Sequence, residues 1–226
     1  MEYPKINSLW KRNGWYLDES LKKVTNIELQ KGRQDFIEGD YAEEAFANIR
    51  YWDVDEKVDG TNIRIYYSNK DGPKIEFKGR TEAANLPAHL VAHLTQTFTR
   101  ELLDSVFHEE NQSIILYGEG YGPKIQACGG NYREDAGFIL FDVYINGWWL
   151  QRGHVADIAK RLGIPSVPYI GRMTEIEIVE FVKSKPLSRC SHIPQMMEGV
   201  IARSSPLLLL RNGKPLKFKL KCRDFP

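Results

Sequence analysis

The chain is poor in cysteine: Cys128, Cys190 and Cys222 are its only three, far apart and without a C-x-x-C pair. That excludes a disulfide framework and a zinc ribbon, so free thiols are expected. No stretch approaches the roughly 18 apolar residues of a membrane span, and the opening MEYPKINSLWKRNGWY has no apolar segment of the secretory kind. A soluble, cytoplasmic protein is the expectation. Repeats, low-complexity tracts and Pro/Gly/Ser linkers are also missing, so one compact domain over 1–226, without a C-terminal accessory domain, is expected. There is neither a G-x-x-x-x-G-K-[ST] phosphate loop nor a dinucleotide fingerprint. His89 and His93 are four apart, but no Glu follows His89 as H-E-x-x-H requires.

Net charge is nearly absent too. The 226 residues sum to +1, which by itself argues against a nucleic-acid partner. The distribution reverses that argument. Residues 203–226 hold seven basic groups against the single acid Asp224, leaving 24 basic and 29 acidic residues elsewhere. A 42% hydrophobic content is ample for a buried core and excludes a mainly disordered chain.

Short alternating runs begin near residue 47: Ile49–Val54, Ile63–Tyr67 and Lys74–Phe77–Lys78, the last two joined by the turn chemistry of Asn69-Lys70-Asp71-Gly72-Pro73. Leu90, Val91, Leu94, Phe98, Leu102 and Val106 recur at helical spacing, predicting one amphipathic helix over 88–108. Strands are expected at Ser113–Tyr117 and Phe138–Val143, the second turning through Asn146-Gly147 into Trp148-Trp149. One helix runs from about 153 to Leu162 and stops at Gly163. Another starts at Thr174, with Glu177 completing a capping box. Strand Gly199–Arg203, a buried strand at Leu207–Leu210, the turn 211–214 and strand Leu216–Lys221 finish the chain. The fold class is α+β, with antiparallel sheets flanked by helices. The five tryptophans, Trp10, Trp15, Trp52, Trp148 and Trp149, are expected to serve packing more than base stacking.

Five segments hold groups suited to chemistry. Glu56-Lys57-Val58-Asp59-Gly60-Thr61-Asn62, between two strands, puts a lysine at a strand end beside a glycine turn through which backbone can approach a ligand. The same D-G pair also suits an ordinary hairpin. Leu116-Tyr117-Gly118-Glu119-Gly120-Tyr121-Gly122 reads as a strand entering a glycine-rich bend with one carboxylate. In Phe138–Val143, Asp142 interrupts an apolar strand, and its burial requires hydrogen-bond partners. Glu198-Gly199-Val200 opens another strand. Lys217, Lys219 and Lys221 share one strand face, where three like charges need an anion or solvent unless the strand is an exposed edge guarded by lysines.

Taken in order, these segments resemble the covalent nucleotidyltransferase superfamily of polynucleotide ligases and capping enzymes. Its blocks correspond to Lys57-Val58-Asp59-Gly60, Tyr117-Gly118-Glu119-Gly120, Phe141-Asp142, Glu198-Gly199-Val200 and Lys219-Leu220-Lys221, with Arg80 between the first two. The resemblance runs from about residue 50 to the end. It is strongest to ATP-dependent RNA ligases of the second phage type, since Glu56 precedes the lysine and Asn62 stands where DNA ligases and capping enzymes usually have Arg. A ligase adenylation domain of ATP-grasp-like nucleotidyltransferase fold, intracellular and of phage or viral character, is what this resemblance implies.

It also implies an ATP-dependent polynucleotide ligase acting in RNA repair. Lys57 would attack ATP to form lysyl-AMP, pass AMP to a 5′-phosphate end, and a 3′-hydroxyl would then seal the strand. Lys57, Glu198, Lys219 and Lys221 would be catalytic. ATP would be held by these with Glu56, Asp59, Gly60, Asn62, Arg80, Glu119 and Phe141. Phe141 would stack on adenine and Glu56 accept from its amino group, while Glu119 and Glu198 would hold Mg²⁺ or Mn²⁺ directly or through water. A free lysine amine, of pKa about 10.4, is almost wholly protonated at neutral pH, so the nucleophile needs neighbouring cations or desolvation. The partner would be RNA or a nicked duplex with 5′-phosphate and 3′-hydroxyl ends. Family members usually continue past the lysine pair into a second domain, so a partner or missing domain for substrate binding is also implied. The alternatives are a DNA nick ligase, a GTP-using capping enzyme, or a non-catalytic nucleotide- or end-binding module.

Overall fold

The computed structural model of the protein describes residues 1–12, 36–70, 74–108 and 112–225. Trp15 and the Asp71-Gly72-Pro73 part of the expected turn lie outside the described residues. In chain order the strands are β1 (Asn7–Ser8), β2 (Trp10–Arg12), β3 (Phe36–Tyr41), β4 (Trp52–Lys57), β5 (Thr61–Ser68), β6 (Lys74–Lys78), β7 (Ser113–Tyr121), β8 (Gly137–Ile145), β9 (Trp148–Trp149), β10 (Tyr169–Met173), β11 (Gly199–Ser204) and β12 (Lys217–Lys221). The α-helices are α1 (Ala88–Thr97), α2 (Arg100–Val106), α3 (Gly129–Tyr132), α4 (Arg152–Leu162) and α5 (Glu175–Lys183). No described helix is long and apolar enough to cross a membrane.

Two units share these elements. The first comprises Met1–Pro4, Asp55–Tyr169 and Leu187–Glu198; the second comprises Lys5–Val54, Ile170–Pro186 and Gly199–Pro226. They interleave along the chain, which is why no linker composition marks a boundary.

The first unit is built on an antiparallel sheet of order β6-β5-β7-β8-β9. Successive strand residues point to opposite faces. Ile63, Ile65 and Tyr67 of β5, Ile114 and Leu116 of β7, and Phe138, Leu140 and Val143 of β8 therefore join one core with Leu90 and Leu94 of α1, Leu103 of α2 and Val155, Ile158 and Leu162 of α4. The opposite face carries the chemistry-bearing positions.

The single helix expected over 88–108 is two helices. Phe98 closes α1, and the Thr99 hydroxyl accepts the Leu102 amide to cap α2, so the apolar periodicity continues across a break. The glycine-rich bend expected at Gly118–Gly122 is strand through Tyr121. A Cβ on Gly118 would come within 2.2 Å of the Phe138 ring, so glycine there lets the ring lie against β7 rather than turn the chain.

The second unit contains most of the sheet of order β1-β12-β11-β4-β10, whose strand β4 crosses the boundary between the units at Val54–Asp55, and the pair β2-β3. Trp52 stacks edge-on with Phe218 at 4.7 Å and with Phe46 at 5.7 Å, forming its aromatic centre. Helix α5 starts at the anticipated capping box: Thr174 accepts the Glu177 amide and Glu177 accepts the Thr174 amide. The buried strand expected at Leu207–Leu210 does not form. Leu208 and Leu209 are 44% and 50% exposed, with an isolated bridge from Leu209 to Pro215. Strand β12 is flanked by β1 and β11, so its lysines do not guard an edge.

Candidate active site

Lys57 is the last residue of β4, and Asp59-Gly60 turn the chain into β5. Its Nζ donates to Glu198 Oε2 at 2.6 Å, an ion pair whose side chains are 22% and 13% exposed. Val58, between the two reactive ends of the motif, is buried with Tyr121, Tyr132, Ile139 and Val167. That apolar cluster anchors the turn, and the Tyr132 hydroxyl accepts the Asp59 amide at 3.3 Å. Burial raises the Tyr132 pKa and keeps this hydroxyl protonated.

Gly60 is required by close approach. A Cβ there would lie 2.3 Å from the Gly120 carbonyl oxygen and 2.8 Å from Glu119 Cγ. The Glu119 side chain thus passes directly beside the turn. On the neighbouring strands Glu119 is the register partner of Asn62, which sets the second carboxylate and the amide side by side. Asn62 Oδ1 is buried with no protein partner, an acceptor that a bound hydroxyl or amine would satisfy.

Phe141 and Asp142 are consecutive, so a regular strand would send them to opposite faces. The register of β7 on β8 slips instead: Tyr117 pairs with Asp142 and Gly118 with Leu140. Phe141 is the extra residue of this bulge, and it packs against the Val58 cluster. Asp142 is buried on the same side and accepts the Tyr3 hydroxyl, supplying the partner its burial demanded. The Tyr3 ring meets Phe141 edge-on at 5.1 Å. Nothing local in the sequence couples Tyr3 to a position 139 residues away.

Glu56, on the other side of β4 from Lys57, is fully buried. Ser188 Oγ donates to Oε1 at 2.5 Å and the Arg189 amide to Oε2 at 2.8 Å. Each oxygen keeps further acceptor capacity. Cys190 lies in the same loop, its Sγ 3.5 Å from Glu56 Oε1; burial, with the Glu56 charge second, pushes its pKa up to about 12. Sequence reasoning missed this loop. Its only signal was a serine and a cysteine two residues apart.

The structure therefore brings Glu56, Lys57, Asp59, Gly60, Asn62, Glu119, Phe141 and Glu198 into one unit through shared contacts. Arg80 belongs to that unit and is exposed in the bend after β6; among the described residues no hydrogen bond or ion pair ties it to the others. Lys219 and Lys221 belong to the second unit. There they lie on the same face of β12, half-buried, with Lys219 opposite Ile201 and Lys221 opposite Gly199 of β11. Among the described residues no trio of His, Cys, Asp or Glu forms a metal cage. The donor set of Glu119 and Glu198, hard oxygens only, fits a Mg²⁺-type ion that retains waters and shares its coordination with substrate phosphates.

A family model described as RNA ligase matches residues 50–221. A search of curated proteins finds no match. Among solved structures, an apo mutant of Naegleria gruberi RNA ligase is similar with a TM-score of 0.59 at 17% identity, over 98% of this chain and 55% of that one. A second mutant of that ligase, with ATP and Mn, has a TM-score of 0.58 at 20% identity, over 78% and 52% of the two chains. A third, with AMP and Mn, has a TM-score of 0.56 at 18% identity, over 97% and 57%. The chain spans about half the length of these structures, and at such identity the likeness is one of fold.

Proposed function

The chain belongs to the RNA ligase family, and from that premise we propose that it is an ATP-dependent RNA ligase of the second phage type, acting through a lysyl-AMP on Lys57. The observation that carries the reading is the 2.6 Å contact of Lys57 with Glu198, which joins the first and fourth motif blocks at one point. The solved ligases of similar fold include forms with ATP or AMP and Mn, which supports ATP as the donor.

In the first step the unprotonated Lys57 amine attacks the α-phosphorus of ATP. An Nζ–P bond forms, the bond from the α-phosphorus to the bridging oxygen breaks, and pyrophosphate leaves with its electron pair. Glu198 holds the amine in place and must release it as its proton departs. Asn62 and Glu119, adjacent in register, offer an acceptor pair to the ribose hydroxyls, and Phe141 offers a face to adenine. Arg80 supplies positive charge to the phosphates, a role that motif position alone also gives Lys219 and Lys221. A divalent ion held by Glu119 and Glu198 would neutralise charge on the polyphosphate. AMP then passes to a 5′-phosphate, and attack by a 3′-hydroxyl releases it.

Incubation with α-labelled ATP and Mg²⁺ tests the donor and the first step together. A protein-bound label that excess ATP competes and excess GTP does not is expected; equal competition by GTP would move the reading to a capping enzyme. Nicked duplexes with RNA or DNA on either side of the break then test the strand specificity.

A further inference from the structure

Arg64 sits in the middle of β5 and is fully buried, and no motif block accounts for it. Alternation places it on the same face as Asn62, opposite the apolar core of Ile63 and Ile65, so its charge must be met by contacts on that face. Three contacts meet it. Nε donates to the Gly79 carbonyl at 2.6 Å, Nη1 donates to the Tyr66 hydroxyl at 2.8 Å, and Nη1 also lies 3.0 Å from Glu82 Oε1.

Gly79 and Glu82 flank Arg80 in the bend after β6, and the Ala84 amide donates to the Thr81 carbonyl to close it. Lys78, the last residue of β6, brings a second cation to Glu82 at 3.0 Å. The bend is thus held on both sides of Arg80, whose own side chain is exposed and pairs with nothing among the described residues.

Packing alone does not account for an arginine at this position. A buried ion pair is no more stabilising than apolar residues of like volume, and here Nη2 is in addition buried without a protein partner. A lysine would not serve either, because the guanidinium fork reaches Gly79 and Glu82 at once and an ammonium is a single point charge. The fork joins a central strand to the one bend that carries Arg80.

We infer that Arg64 is a positioning residue: by clasping Gly79 and Glu82 it sets the backbone of Arg80 before nucleotide binds, so the exposed guanidinium meets the ATP phosphates at a smaller ordering cost. The inference rests on the phosphate role that the ligase reading gives Arg80, and Arg64 acts only through that residue.

The probe is an ATP analogue with a methylene bridge between the α- and β-phosphorus, which can bind but cannot lose pyrophosphate. Its dissociation constant is measured with the full chain for the parent, Arg64→Lys, Glu82→Gln, Arg80→Ala and the double variant Arg64→Lys/Arg80→Ala. Label formation from ATP and trypsin cleavage after Arg80 are followed in parallel. Arg64→Lys should weaken analogue binding about five- to tenfold, the cost of ordering a bend no longer held, and leave the label rate at saturating ATP within about twofold of the parent. In the Arg80→Ala background the same substitution should change binding less than about twofold, because the two residues act as one unit. Glu82→Gln should weaken binding about two- to threefold, and its exposed side chain keeps the test valid even if Arg64→Lys fails to fold. Trypsin should cut after Arg80 faster in both single variants than in the parent. Unchanged trypsin cleavage or unchanged analogue binding would overturn the inference. So would an equal loss of binding with and without Arg80, which would make Arg64 a structural residue only. A parent that binds the analogue in this pattern yet takes no label from ATP would sink the ligase reading and leave the positioning role standing.

Discussion

Lys57 Nζ and Glu198 Oε2 lie 2.6 Å apart although 141 positions separate them in the chain. The pair is mostly buried, so each partner compensates the desolvation of the other. Glu198→Ala should leave Lys57 without its partner, lowering stability by about 1–2 kcal/mol and adenylylation at least tenfold. Glu198→Gln keeps an acceptor without the charge, so it should recover most of the stability and little of the activity. Urea unfolding and initial rates of label incorporation measure the two effects, and full activity in Glu198→Gln would show that its charge has no part in the reaction.

Gly60→Ala tests the packing of the turn on β7. The new Cβ would meet the Gly120 carbonyl, which cannot move without disturbing the strand pair, and would push the Glu119 side chain aside. A loss of about 2–3 kcal/mol is expected from this overpacking. Adenylylation should fall with it, because Glu119 is displaced. A urea midpoint equal to the parent's would contradict the close approach.

The Tyr3 hydroxyl supports a buried carboxylate and its ring supports Phe141. Tyr3→Phe should therefore cost about 1–3 kcal/mol through Asp142 alone while the ring contact survives. Tyr3→Ala removes both, and should in addition raise the KM for ATP if Phe141 faces adenine. Equal KM values in the two variants would separate the ring contact from nucleotide binding.

Cys190 offers a pH test. Its thiol is raised from the ordinary 9.0 to about 12 by burial and the Glu56 charge. The folded protein thus keeps a proton that the unfolded chain gives up, so stability is undiminished below about pH 9 and declines as pH rises toward 12. Cys190→Ser should flatten that decline. At pH 8 a thiol reagent should modify exposed Cys128 rapidly and reach buried Cys222 and shielded Cys190 only on unfolding.

Much of this arrangement could be read from local pattern. Alternation located β5, β7 and β8, and the capping box located α5, because both signals depend on neighbours a few residues apart. The K-x-D-G turn and the Asn62–Glu119 juxtaposition also follow once two strands are paired. What escaped depends on distant contacts. The bulge at Phe141 is a slip in register, visible only against β7. The break after Phe98 was hidden because the apolar spacing persists through it. Leu207–Leu210 has the hydrophobicity of a core strand, yet it pairs across the 211–214 turn through an isolated bridge and leaves Leu208 and Leu209 exposed. Tyr3 on Asp142, and Ser188 with Arg189 on Glu56, join segments with no shared motif.

The most direct test of the central claim is the location of the AMP label. After reaction with α-labelled ATP and Mg²⁺, peptide mapping should place a single alkali-stable, acid-labile phosphoramidate on Lys57. Lys57→Ala, folded as judged by its urea midpoint, should carry none. Label on another residue, or undiminished label in Lys57→Ala, would contradict the account.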